Sequence, residues 1–78
     1  MDFDQEIDAV GLLCPLPVLK ARKRLKGMQA GQVLKLIADD PAAVIDVPHF
    51  CNEQGYKLLD VQEDESSLRI YFIQFPPA

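Results

Sequence analysis

Glycine and proline cut this 78-residue chain into short segments, and the apolar period changes at each cut. "QEIDAV" (Gln5 to Val10) alternates loosely, with Ile7 and Ala9 on one face, before Gly11 breaks it; this reads as a short strand. From Pro15 the period becomes helical. Val18, Ala21, Leu25 and Met28 recur at spacings of three and four, with basic residues on the other side, which predicts an amphipathic helix ending near Gly27. "GQVLKLIADD" then has an apolar core of Val33, Leu34, Leu36 and Ile37, the pattern of a nearly buried central strand. Asp40 followed by Pro41 is a helix-start signal, an acidic cap before a proline whose missing N–H costs nothing there. The second helix is expected from Pro41 to Gln54, stopping at Gly55, with a kink or break near Pro48. "YKLLDVQED" and "SLRIYFIQF" read as two strands joined by the polar turn "EDESS", with Leu68, Ile70 and Phe72 sharing one face.

The resulting order, β-α-β-α-β-β, predicts an α/β (α+β) two-layer sandwich: a mixed four-stranded sheet with both helices on one face. Residues 1–78 have room for one domain only. The 49% hydrophobic content is enough for a core without disulfides or metal. Cys14 and Cys51, the two cysteines, fit neither a disulfide scaffold nor a zinc ligand set, which points to a reducing compartment. "MDFDQEIDAV" carries four acids and no secretory pattern, and no apolar run approaches the ~20 residues of a membrane span. A cytoplasmic protein is expected. The net charge of -4 argues against broad nucleic-acid binding, yet five of the eight basic residues, Lys20, Arg22, Lys23, Arg24 and Lys26, fall in one seven-residue stretch.

The chemistry centres on "GLLCPLPVLK". Cys14 stands at a strand-to-helix junction, where free N–H groups and the helix dipole favour an anion; the expectation is therefore a thiolate with a depressed pKa. Pro15 and Pro17 fix the backbone around it, and Gly11 permits the bend that presents it. The competing reading is a small buried hydrophobe between Leu13 and Leu16; for Cys51, beside Phe50 at core spacing from Val44 and Val47, that plain reading is preferred. His49 lacks a ligand set around it, and the acid pairs at 39–40 and 63–65 are accounted for by a helix cap and a hairpin turn. No cofactor or metal is called for.

"GLLCPLPVLKARKRL", with C-P-x-P at the mouth of the first helix, followed by "ADDPA", "DVPHFC" and "GYKL", resembles the TusA family of sulfur carriers, also called the SirA-like family, over nearly the whole chain. The resemblance implies that Cys14 accepts a sulfane sulfur as a persulfide and passes it on, acting as a carrier more than a turnover enzyme. It implies a sulfur-donor protein, a cysteine desulfurase or a rhodanese-like protein, and an acceptor serving tRNA thiolation, molybdenum-cofactor maturation or sulfur oxidation. The basic helix face (Lys20, Arg22, Lys23, Arg24) would steer acidic partners, the plain reading being a solvated helix face, and Asp40 is read as the cap of the second helix, a direct part in transfer being the other reading. A monomer is expected, since a carrier must expose its thiol. Two other readings stay open: a regulatory or RNA-associated module with a structural Cys14, against which the absence of aromatics among the basic run speaks, and a thiol redox protein pairing Cys14 with Cys51.

Overall fold

The computed structural model describes residues 2–77. Six elements follow in order: β1 (Gln5–Asp8), α1 (Leu16–Lys26), β2 (Val33–Ala38), α2 (Ala43–Gln54), β3 (Lys57–Glu63) and β4 (Arg69–Gln74). The sheet order is β1-β2-β4-β3; β1 and β2 are parallel, the other two pairs antiparallel. A parallel pair needs a long crossover, supplied here by α1, whereas the antiparallel β3 and β4 need only a hairpin turn.

One core lies between sheet and helices. Ile7 of β1, Leu34, Leu36 and Ala38 of β2, and Tyr71 and Ile73 of β4 face it from below; Ala21 and Leu25 of α1 and Ala43, Val47, Phe50 and Cys51 of α2 face it from above. Both helices thus cover the same sheet face, as the apolar periods require. β2 and β4 are central, but β2 alternates between buried and half-buried residues instead of being buried throughout, because the opposite sheet face carries no layer. The same bareness decides β4. Ile70 and Phe72 share a face, as the alternation predicts, but it is the face away from the helices, and Phe72 is buried there without joining the core. Its register neighbour Lys35 lies over the Phe3 ring at 4.9 Å and pairs with Glu6 at 3.2 Å, so long side chains shield this face in place of helices.

Two boundaries differ from the sequence reading. α2 begins at Ala43, not Pro41; Asp40 to Ala42 form a separate lead-in turn, with Asp40 Oδ1 accepting from the Ala42 N–H at 3.2 Å and the Asp40 carbonyl from the Ala43 N–H at 3.0 Å. The helix then runs through Pro48 as one element to Gly55, whose φ of 77° closes it in the left-handed conformation glycine adopts most readily.

Candidate functional site

The loop from Ala9 to Pro15 leaves the C-terminal end of β1 beside the loop that leaves the C-terminal end of β2, since the strands are parallel neighbours. Two consecutive carboxylates of the second loop hold the first. Asp39 Oδ1 accepts from the Gly11 N–H at 2.9 Å, and Asp40 Oδ2 accepts from the Cys14 N–H at 2.5 Å. Gly11 has φ +84°, so the bend falls where a side chain would be strained. Leu12 turns into the core while Leu13 points outward and is 70% exposed. Cys14 follows, exposed, joined to Pro15 by a cis peptide bond. Asp40 therefore joins the two loops: one oxygen serves the turn ahead of α2, the other the cysteine backbone.

The thiol itself meets a residue the sequence reading passed over. Cys14 Sγ donates a hydrogen bond to Asp46 Oδ2 in the first turn of α2. That contact, with partial desolvation and then the charges of Asp46 and Asp40 adding to it, pushes the Cys14 thiol above its ordinary pKa. The expected depression is thus reversed. The start of α1 offers little to oppose it: the Leu16 N–H is bound to the Leu13 carbonyl at 2.9 Å, and Pro15 and Pro17 have none to give. The prolines that stiffen the loop also remove two donors from the helix end. Asp46 carried little sequence signal: it is the sixth residue of the helix expected from Pro41 and falls in the first turn only because α2 begins at Ala43; which way it points depends on helix phase and on the approach of α1.

Around the sulfur, a groove of about 310 Å³ runs between the helices, lined by Pro15, Val18, Leu19 and Arg22 of α1 and its cap and by Asp46, His49, Phe50 and Glu53 of α2. His49 sits 3.3 Å from Glu53 within it. Exposed apolar side chains flank the thiol: Leu13 and Leu16 on its own loop and helix, Leu19 along the groove, and Ile45, 75% exposed, beside Asp46. The basic residues are not gathered here. Arg22 lines the thiol groove, but Lys20, Lys23 and Arg24 line a second cavity of about 410 Å³ on the other flank of α1, against Gln5 and Ile7 of β1. Arg24 Nη1 donates there to Gln5 Oε1 at 3.1 Å.

Cys51 faces the core, not the groove, and both cysteines are free. Its burial pushes the thiol up to about 11. Among the described residues no group of three or more His, Cys, Asp or Glu is placed to hold a metal ion, and no helix is long and apolar enough to cross a membrane.

The family model described as "Sulfurtransferase TusA" matches residues 5–74. The chain belongs to the TusA family. It is 51% identical over 63 residues, 81% of this chain and 83% of the relative, to the sulfur carrier protein TusA of Allochromatium vinosum. To the protein of the same name from Pseudomonas putida it is 42% identical over 71 residues, 91% of this chain and 88% of the relative. The crystal structure of a SirA-like protein from Desulfitobacterium hafniense superposes with a TM-score of 0.82 at 26% identity, covering 94% of this chain and 99% of that one. The TusA relationship makes this chain a sulfur carrier, and a carrier interacts with a protein that gives sulfur and a protein that takes it.

Proposed function

We propose that Cys14 is the atom-bearing residue of this carrier. The observation that carries the reading is that the exposed thiol sits on a loop fixed by Asp39 and Asp40, at the end of a groove open to solvent. In transfer, Cys14 Sγ as the thiolate attacks the outer sulfur of a donor persulfide; a bond forms from Sγ to that sulfur, the donor's S–S bond breaks, and the donor cysteine leaves as a thiolate. The sum of oxidation states is unchanged. A second cysteine beside Cys14 would close on the persulfide as a disulfide and expel the sulfur, and the core position of Cys51 keeps it away from that role.

Gly11, Pro15, Pro17 and Asp40 support the sulfur by holding its backbone, and the apolar side chains around it with Arg22 form the surface on which donor and acceptor dock in turn. Lys20, Lys23 and Arg24, on the far flank, act at longer range, steering acidic partners. The donor is a cysteine desulfurase or a rhodanese-like protein, and the setting is the reducing cytoplasm, where the thiol stays available.

Intact-protein mass spectrometry tests this. The reduced protein is incubated with a cysteine desulfurase and cysteine, or with a rhodanese and thiosulfate, beside Cys14→Ser and Cys51→Ser. Mass gains of single sulfur atoms that vanish only in Cys14→Ser are expected; gains that survive that substitution would reassign the site.

A further inference from the structure

We propose that Asp46 is a positioning residue for sulfur transfer: it holds the empty carrier's Cys14 as a protonated thiol turned into the groove, and turns the loaded sulfur outward. This rests on Cys14 being the transfer sulfur.

The charged groups that face Cys14 are few. Asp40 lies beside it on the loop before α2, Asp46, His49 and Glu53 line the groove from α2, and Arg22 lines it from α1. Of these only Asp46 touches the sulfur, and it does so as an acceptor for the S–H proton. Neither Asp40 nor Asp46 has a cationic partner among the described residues, whereas Glu53 is taken up by His49. A carboxylate with a free lone pair and no counter-ion attracts a thiol hydrogen and repels a sulfur anion.

The sign of the contact therefore changes on loading. Empty, the sulfur is an S–H donor and the Asp46 bond draws it towards α2. To react, Sγ gives up that proton to solvent or to the departing donor thiolate, takes on the sulfane sulfur, and becomes Sγ–S⁻. The new terminal anion has no proton for Asp46 and is repelled by both carboxylates, so it swings away from the groove, towards the rim of Leu13 and Leu16 where an acceptor docks. The S–H bond to Asp46 also makes the empty thiol a slow nucleophile, protecting it from stray electrophiles until docking displaces the contact.

The test uses Cys51→Ser protein as the parent, so that Cys14 is the one thiol read. Rates of alkylation by iodoacetamide are measured from pH 6 to 10 for the parent, Asp46→Asn and Glu53→Gln, with thermal unfolding of each. Asp46→Asn is expected to react several-fold faster near neutral pH, with the midpoint of its profile moved to lower pH, while Glu53→Gln follows the parent. An Asp46 that serves only the helix start would lose stability and leave the profile where it was, and that result overturns the proposal. So does an equal shift in Glu53→Gln, which would mean a general field in place of a contact. Loading by inorganic polysulfide, followed by mass, is run on the same proteins. Faster loading of Asp46→Asn agrees with the proposal. If no protein loads while the alkylation profile still shifts, the Asp46 contact stands and the carrier assignment of Cys14 falls.

Discussion

At the residue scale, Asp40 ties the site together. It accepts from two backbone N–H groups in different loops, and charge-assisted bonds of this kind are stronger than neutral ones. Asp40→Ala is expected to cost about 2 kcal/mol in a urea titration and to free the cysteine loop, seen as faster exchange of the Cys14 amide hydrogen. Tyr71 presents the opposite case. It is 1% exposed, its hydroxyl finds no partner among the described residues, and burial raises its pKa against a smaller opposing effect of the Arg69 charge. Tyr71→Phe removes that buried hydroxyl at little change in shape, so a gain of about 1 kcal/mol is expected. The placement of Cys14 after a bend at Gly11 could be read from the sequence because it is local: a thiol between a glycine and two prolines. Asp46 could not, since its contact spans 32 positions and exists only once two helices have packed.

At the scale of elements, what the sequence displays is period, and what it hides is which of two apolar faces a strand turns inward. β4 has apolar residues on both parities, Ile70 and Phe72 against Tyr71 and Ile73, so alternation alone did not assign its core side. Positions of the strands were legible from their apolar alternation and the turns between them, and the α1 and α2 termini at Gly27 and Gly55 because glycine marks them. The start of α2 was not, because Asp40 is engaged by two loops and caps a turn in place of the helix. Pro48 lies inside α2, where it leaves a carbonyl one turn earlier without its donor. Pro48→Ala is expected to stabilise the fold by about 1 kcal/mol, the helix gain being offset in part by a more flexible unfolded chain. The β3–β4 turn is built on Asp64, which accepts from the Ser66 and Leu68 N–H groups at 2.9 and 3.0 Å, while Ser67 adopts φ 69°. Ser67→Gly relieves that left-handed residue, and a gain of about 0.5–1 kcal/mol in thermal or urea unfolding is the expected outcome.

The whole molecule has an alkaline weakness. Cys51 is neutral in the core with its thiol raised to about 11 from an ordinary 9.0, so between these values the unfolded chain releases a proton the native one keeps. Stability is then fully present below about pH 9 and declines as pH rises towards 11, with Tyr71 adding in the same direction above its ordinary 10.0. Urea titrations from pH 8 to 11 should show this decline, and a shallower one in Cys51→Ala. The paired carboxylates Asp39 and Asp40 carry a different consequence. They fasten the cysteine loop by its backbone, through Gly11 and Cys14, and leave the outward Leu13 out of the fastening. If Cys14 bears the sulfur as proposed, address and cargo are written on separate parts of one short loop: new outward side chains would redirect the carrier to another client while the cysteine backbone stays fastened at the same point.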